Sequence, residues 1–175
     1  MMRVTYLYCL VNKKQNSNIE NSELINALVS GFHYVITKQD YLNEINVFPV
    51  ADGDTGTNLS LTLTSALEVT KISDRKNLHQ LLEKVAEALL DSARGNSGAI
   101  FAQFFQGLSD FSDGYNQFNV HSLSKAINQG YQYAYEALTS PREGTVLSVM
   151  HAFANSITEL ISENPNIGFE EIINK

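Results

Sequence analysis

From about residue 20 onward the apolar residues of this chain recur at helical spacing and never settle into the alternation of a strand, which confines the fold to helix packed on helix. The sharpest instance is Leu78, Leu81, Leu82, Val85 and Leu89, which line one face of a helix ending near Ala93. Leu24, Leu28, Phe32 and Val35 predict an earlier amphipathic helix through about residue 44, with a candidate break near Asp40 and Asn21 or Ser22 as its cap. Leu59, Leu63, Ala66 and Leu67 predict another, capped by Asp54 or Thr55. Helical spacing resumes at Ile100 to Leu108, with Gly95 read as the preceding stop and Asn96 or Ser97 as the new cap. Helices from His121 to Leu138 and from Thr145 to about Ile161 follow, separated by the turn Pro141-Arg142-Glu143-Gly144, and a last one opens near Gly168. The expected class is all-α, an antiparallel bundle of about seven to eight helices.

At 175 residues the length suits one domain with an ordinary core. A net charge of −7 without any Lys/Arg block excludes nucleic acid as the main partner, since that recognition needs concentrated cations. The same charge repels a bare polyphosphate, so an acidic chain that takes a nucleotide needs metal ions for binding as well as chemistry. Cys9 is the lone cysteine, which leaves no intramolecular disulfide or thiolate zinc cluster and suits a reducing, cytoplasmic setting. No apolar run reaches the roughly 20 residues of a spanning helix. Residues 1–19 read as a leader outside a folded body of 20–175: Val4 to Val11 has the look of a short signal core without a cleavage site, and Asn12 to Asn18 is a polar tether.

Chemistry concentrates in three loops. The run from Asn46 to Asn58 packs the carboxylates of Asp52 and Asp54, several amide and hydroxyl oxygens and two glycines into one predicted turn. Oxygen ligands at that density suit magnesium or calcium, and a magnesium site with few carboxylates leaves room for substrate phosphates. Arg94 to Gly98 and Glu143 to Thr145 also combine Gly with Ser, Thr or Asn at predicted helix starts, where backbone amides and the helix dipole favour an anion. If the connectivity brings these ends together, they surround a phosphate chain. Each loop alone also reads as a plain capped turn or helix connection. His33, His79, His121 and His151 are scattered, and Tyr131, Tyr133 and Tyr135 are read as packing residues. There is no G-x-x-x-x-G-K-[ST] and no G-x-G-x-x-G, so phosphoryl charge would fall to metal, amides and Arg94 or Arg142 rather than to a P-loop lysine.

N-V-F-P-V-A-D-G-D-T-G-T-N, then A-R-G-N-S-G-A-I, then E-G-T-V-L closely resembles the kinase domain shared by bacterial fatty acid kinases and the L-subunit of dihydroxyacetone kinases. The N-V-F-P-V wording is more similar to the fatty acid kinase branch, with Ala51 where Pro is usual and Leu59 where Met is usual. The resemblance covers about residues 20 to 160 and implies a helical barrel with ATP and two magnesium ions at one end. It implies Asp52 and Asp54 as metal ligands with Asn46 as the third, and no catalytic side chain beyond them. It places Thr55, Thr57 and Asn58 at nucleotide-contacting positions, Asn96, Ser97 and Gly98 at the phosphate-binding turn, and Thr145 and Val146 at the adenine pocket.

Phosphoryl transfer is the implied reaction, with a fatty acid carboxylate as acceptor, presented by a separate DegV-type lipid-binding protein. Such an acceptor needs no general base, being ionised at neutral pH. Dihydroxyacetone on another subunit is the alternative acceptor, and a non-catalytic nucleotide-binding domain is the alternative class. The resemblance also allows homodimerisation through domains outside this chain. Family members continue into a glycine-rich V-D-x-G-G segment that closes the nucleotide site, whereas this chain stops inside a predicted helix, which reads as an excised domain or a shortened protein.

Overall fold

A computed structural model describes residues 18–72 and 77–174. Among these the chain forms α1 (Asn21–Thr37), α2 (Gln39–Glu44), α3 (Thr55–Ile72), α4 (Leu78–Ser92), α5 (Gly95–Phe111), α6 (Val120–Glu136), α7 (Val146–Glu163) and α8 (Phe169–Asn174). The expected all-α class holds. The one strand-like feature among them is an isolated bridge between Asn18 and Asn119. Cys9, the apolar run Val4 to Val11 and most of the polar tether lie outside the described residues.

The break expected near Asp40 falls at Lys38, between α1 and α2. Neither Asn21 nor Ser22 caps α1: Glu20 holds that position, and its N–H donates to Glu23 Oε2 at 3.3 Å. Asn21 instead donates through Nδ2 to the Asn116 carbonyl at 3.1 Å. Ile19, just before α1, is buried, and its N–H donates to the Phe118 carbonyl at 2.8 Å. At α4 the structure follows the expected pattern closely. Leu78, Leu82, Val85 and Leu89 are all 0% exposed, and burying each such side chain contributes about 1.5–3 kcal/mol. Asn77 caps that helix by accepting from the Gln80 N–H at 2.9 Å.

Consecutive helices pack on one another from α3 to α7, while α1 and α2 both pack on α3 and α3 also touches α5. The link of Ala93 and Arg94 is so short that α5 must fold back antiparallel along α4. Leu24, Phe32, Leu63, Leu82, Leu89 and Phe105 belong to the main core, shared by α1, α3, α4 and α5. A smaller cluster of Ile100, Ala134, Leu147 and Met150 joins α5, α6 and α7. At the α5–α6 crossing a Cβ on Gly107 would stand 2.7 Å from the Gly130 Cα, so the two backbones meet with no room for a side chain.

Candidate functional site

The acidic turn is held by its own first residue, Asn46, and by Asn43 of α2. Asn46 Oδ1 accepts from the Thr55 N–H at 3.1 Å and from Thr55 Oγ1 at 2.8 Å, while its Nδ2 donates to the Val50 carbonyl at 2.9 Å. One turn earlier, Asn43 Oδ1 accepts from the Thr57 N–H at 3.0 Å, and Asn43 Nδ2 donates to Thr57 Oγ1 at 2.9 Å. Two amides at the start of α3 are thereby satisfied by asparagine side chains, so they are not bare anion donors. Asp54 occupies the cap position through its backbone, accepting from the Asn58 N–H at 2.9 Å. Gly56 permits this seating. A Cβ there would stand 2.0 Å from the Gln39 carbonyl oxygen.

Asp52 and Asp54 flank Gly53, whose φ of +66° is the left-handed conformation that favours glycine, and both carboxylates are exposed. No group of three or more His, Cys, Asp or Glu able to hold a metal is found among the described residues. Both lone pairs of Asn46 Oδ1 are engaged by Thr55, which makes this side chain a strut of the turn rather than a free oxygen. Two carboxylates on one ordered turn fit magnesium, which keeps several waters and takes phosphate oxygens.

The second loop opens α5 differently from the sequence expectation. Gly95, with φ +57°, begins α5 instead of stopping α4, and Arg94 rather than Asn96 or Ser97 holds the cap position, with no side-chain cap bond. The residue after a two-residue reversal needs that left-handed backbone. A Cβ on Gly95 would stand 2.4 Å from Asn58 Nδ2, and one on Gly98 2.6 Å from Thr62 Oγ1. Thr62 Oγ1 accepts from the Arg94 N–H at 3.2 Å and donates to the Asn58 carbonyl at 2.8 Å. The start of α5 thus rests on Asn58 and Thr62 of α3. Asn96 is exposed, Ser97 half-buried and Gly98 buried, while Arg94 turns its Nη1 onto the Ala93 carbonyl at 3.1 Å.

The third loop reaches the same end of the bundle. A Cβ on Gly144, whose φ is +82°, would lie 3.8 Å from Phe48 Cδ1 in the acidic-turn segment. Thr145 caps α7, accepting from the Leu147 N–H at 3.3 Å and donating to the Arg142 carbonyl at 2.9 Å. Ser148 Oγ accepts from the Gly144 N–H at 2.9 Å and donates to the Glu143 carboxylate. Val146 and Tyr131 pack against the cluster of Ile100 and Leu147, and Arg142 is exposed. Burial first, then the Glu143 charge and Tyr135, raises the Tyr131 pKa above its ordinary value.

The three loops selected from sequence therefore meet, through Asn58 against Gly95 and Phe48 beside Gly144. Asn43 and Thr62 were missed. Asn43 stands three residues before Asn46, and Thr62 four after Asn58, so helical spacing from the motif residues is the signal that points to them. A family model described as the DAK2 domain matches residues 49–175 of this chain.

The chain belongs to the DAK2 domain family. This is the dihydroxyacetone kinase L-subunit-like family, and its kinase relationship supports a phosphotransferase in general terms. The matched range carries the second and third loops and the first from Pro49 onward, and leaves Asn43, Asn46 and Phe48 outside it. The chain is 32% identical over 147 residues to an uncharacterised protein of Staphylococcus epidermidis, covering 84% of this chain and 27% of that protein. It is 34% identical over 143 residues to one of Staphylococcus aureus strain RF122, covering 82% and 26%, and 33% identical over 147 residues to one of Staphylococcus saprophyticus, covering 84% and 27%. The chain spans about a quarter of the length of these curated relatives. Among the described residues no helix is long and apolar enough to cross a membrane.

Proposed function

We propose that this DAK2 domain binds magnesium-ATP and transfers the γ-phosphoryl group to the carboxylate of a fatty acid presented by a DegV-type lipid-binding partner, giving an acyl phosphate and ADP. The observation that carries the reading is the meeting of the exposed Asp52–Asp54 turn with the uncapped start of α5 through the Asn58–Gly95 contact. Asp52 and Asp54 would hold magnesium, which neutralises phosphate charge when bound. The amides of Gly95, Asn96 and Ser97 lie in the first turn of α5, where donors and the helix dipole suit phosphate oxygens. Val146, packed beside Ile100, offers an apolar edge for the adenine. Arg94 and Arg142 are exposed cations within the converging loops and serve as charge stabilisers. A carboxylate acceptor arrives ionised, so one of its oxygens attacks phosphorus while the bond to the ADP oxygen breaks, and no protein base is needed. The N-V-F-P-V wording of the turn supports the fatty acid branch over a dihydroxyacetone acceptor.

Titration calorimetry of magnesium-ATP against wild type and the Asp52→Ala/Asp54→Ala double variant tests the site. The variant is expected to lose about two orders of magnitude in affinity, the scale of two charge-assisted contacts. Unchanged binding would overturn the metal assignment. Acyl phosphate formed with a lipid-loaded partner is trapped by hydroxylamine as a hydroxamate. Transfer to dihydroxyacetone instead, or binding with transfer to neither, would overturn the acceptor.

A further inference from the structure

Helix α7 carries two apolar stripes. Leu147, Met150, Ala154 and Ile157 are buried and Ile161 packs beside them, so this stripe faces α6 and the smaller core clusters. Val149, Phe153, Ser156 and Leu160 make the other at i, i+4, i+7 and i+11, the spacing of a helix–helix seam, about a third of the way around the helix. Here Val149 is 68% exposed and Phe153 52%, Ser156 is exposed and Leu160 is half-buried. A surface helix is ordinarily polar on the side away from its core, and one that is apolar on two sides calls for two neighbours. The outer side is also free of charge. From Gly144 to Thr158 there is no Asp, Glu, Lys or Arg, in a chain of net charge −7. His151, the one titratable side chain of that span, lies off the stripe, with its ring stacked on Tyr131 at 4.8 Å between centroids.

We propose that the outer stripe of α7 is a self-association face, on which a second copy of this chain docks its own α7 antiparallel across a two-fold axis. Charge selects both the occupant and the direction. Two bodies of net charge −7 repel each other, and a stripe without acidic residues is where that repulsion is weakest. Parallel pairing would set Glu159 against Glu159 and Glu163 against Glu163. Antiparallel pairing about an axis between Ala152 and Phe153 separates them, and it brings each exposed Glu163 to the dipole-positive end of the other helix, near the exposed Arg142. The same axis sets Phe153 opposite Ala152 of the second copy and Val149 opposite Ser156, so each large side chain meets a small one. A charge-poor contact centred on an aromatic residue is the composition of an interface core. Because the face is complementary to itself, assembly closes at the dimer. This face does not depend on the nucleotide reading.

Sedimentation equilibrium of the whole chain over about 1–300 µM tests the proposal, a range that spans the strength of a modest contact. Wild type is expected to pass from monomer to dimer and no further. Phe153→Asp is expected to weaken the dimer at least about thirtyfold, the scale of a central aromatic anchor, with an unchanged helical circular-dichroism signal. Ser156→Arg, which crowds the seam, serves if that variant does not fold. Glu163→Arg and Glu87→Arg, the latter at an exposed position of α4, each raise the net charge from −7 to −5. Glu87→Arg is expected to tighten the dimer by relieving repulsion, and Glu163→Arg to weaken it about fivefold by facing Arg142. Tightening by both overturns the antiparallel pairing, and a dimer that survives Phe153→Asp overturns the face. So does a wild type that stays monomeric throughout. In that case Val149→Cys in a Cys9→Ser background says why: a thiol slow to react with maleimide means that the same chain covers the stripe, and a fast one means a bare face left for a different partner.

Discussion

Gly95 and Gly31 show how differently two glycines of one chain are constrained. Gly95 combines a φ of +57° with an Asn58 amide where its Cβ would stand. Gly95→Ala is expected to cost about 1–2 kcal/mol from the backbone alone, with a further penalty as Asn58 is displaced. Urea denaturation checks the stability, and calorimetry is expected to show weaker nucleotide binding because the α5 start loses its seat. Gly31 lies exposed inside α1, and a Cβ there would meet nothing within 4 Å. At that position Gly31→Ala is expected to stabilise by roughly 0.5–1 kcal/mol, through helix propensity and a less flexible unfolded chain, visible as a raised Tm. Sequence offered both as glycines in or near helices. The difference between them lies in what stands opposite.

Element packing depends on similar close approaches. Gly107→Ala would place a methyl 2.7 Å from the Gly130 Cα and 2.8 Å from the Gln129 carbonyl, and no rotamer relieves a clash with backbone. Separating α5 from α6 is expected to cost about 1–3 kcal/mol, read as a lower denaturation midpoint. The same helix pair is tied at its surface by Tyr133, whose hydroxyl donates to Asp110 Oδ2 at 2.9 Å. That hydrogen bond first, and the Asp110 charge second, raises the Tyr133 pKa above its ordinary value. A raised folded-state pKa means that the tie is fully present below the ordinary tyrosine value of about 10 and is lost as pH rises through the higher folded value. Alkaline melts should therefore show a smaller decline in Tyr133→Phe than in wild type.

Across the whole molecule the net charge of −7 opposes any polyphosphate. Metal-free ADP is expected to bind more tightly as ionic strength rises from about 10 to 150 mM, because screening weakens like-charge repulsion. Titrations at the two salt levels check this, and weakening with salt would mean that local cations such as Arg94 dominate the approach. Convergence of the loops is itself a property of the whole bundle. The short link after α4 turns α5 back, and the packing of α3 on both α4 and α5 sets their starts side by side.

Most of the helices were legible because burial of a stripe leaves a local period: Leu78 to Leu89 are spaced by the helix itself. The acidic turn was legible too, since Asp52, Gly53 and Asp54 are neighbours and their chemistry needs no distant partner to be noticed. Caps were less so. Asn96 and Ser97 have good capping side chains, yet the positive φ at Gly95 starts the helix earlier and leaves them inside it. The family resemblance implies Asn46 as the third ligand, and the structure engages its oxygen with Thr55. The amino-acid sequence by itself determined the helical class, the three loops and the residue types available for metal and phosphate. Only the tertiary structure decided that the loops meet and which way each threonine hydroxyl points. Those facts rest on hydrogen bonds and close contacts between separate elements, such as Asn43 to Thr57 across 14 positions and Asn58 against Gly95, which no local period encodes.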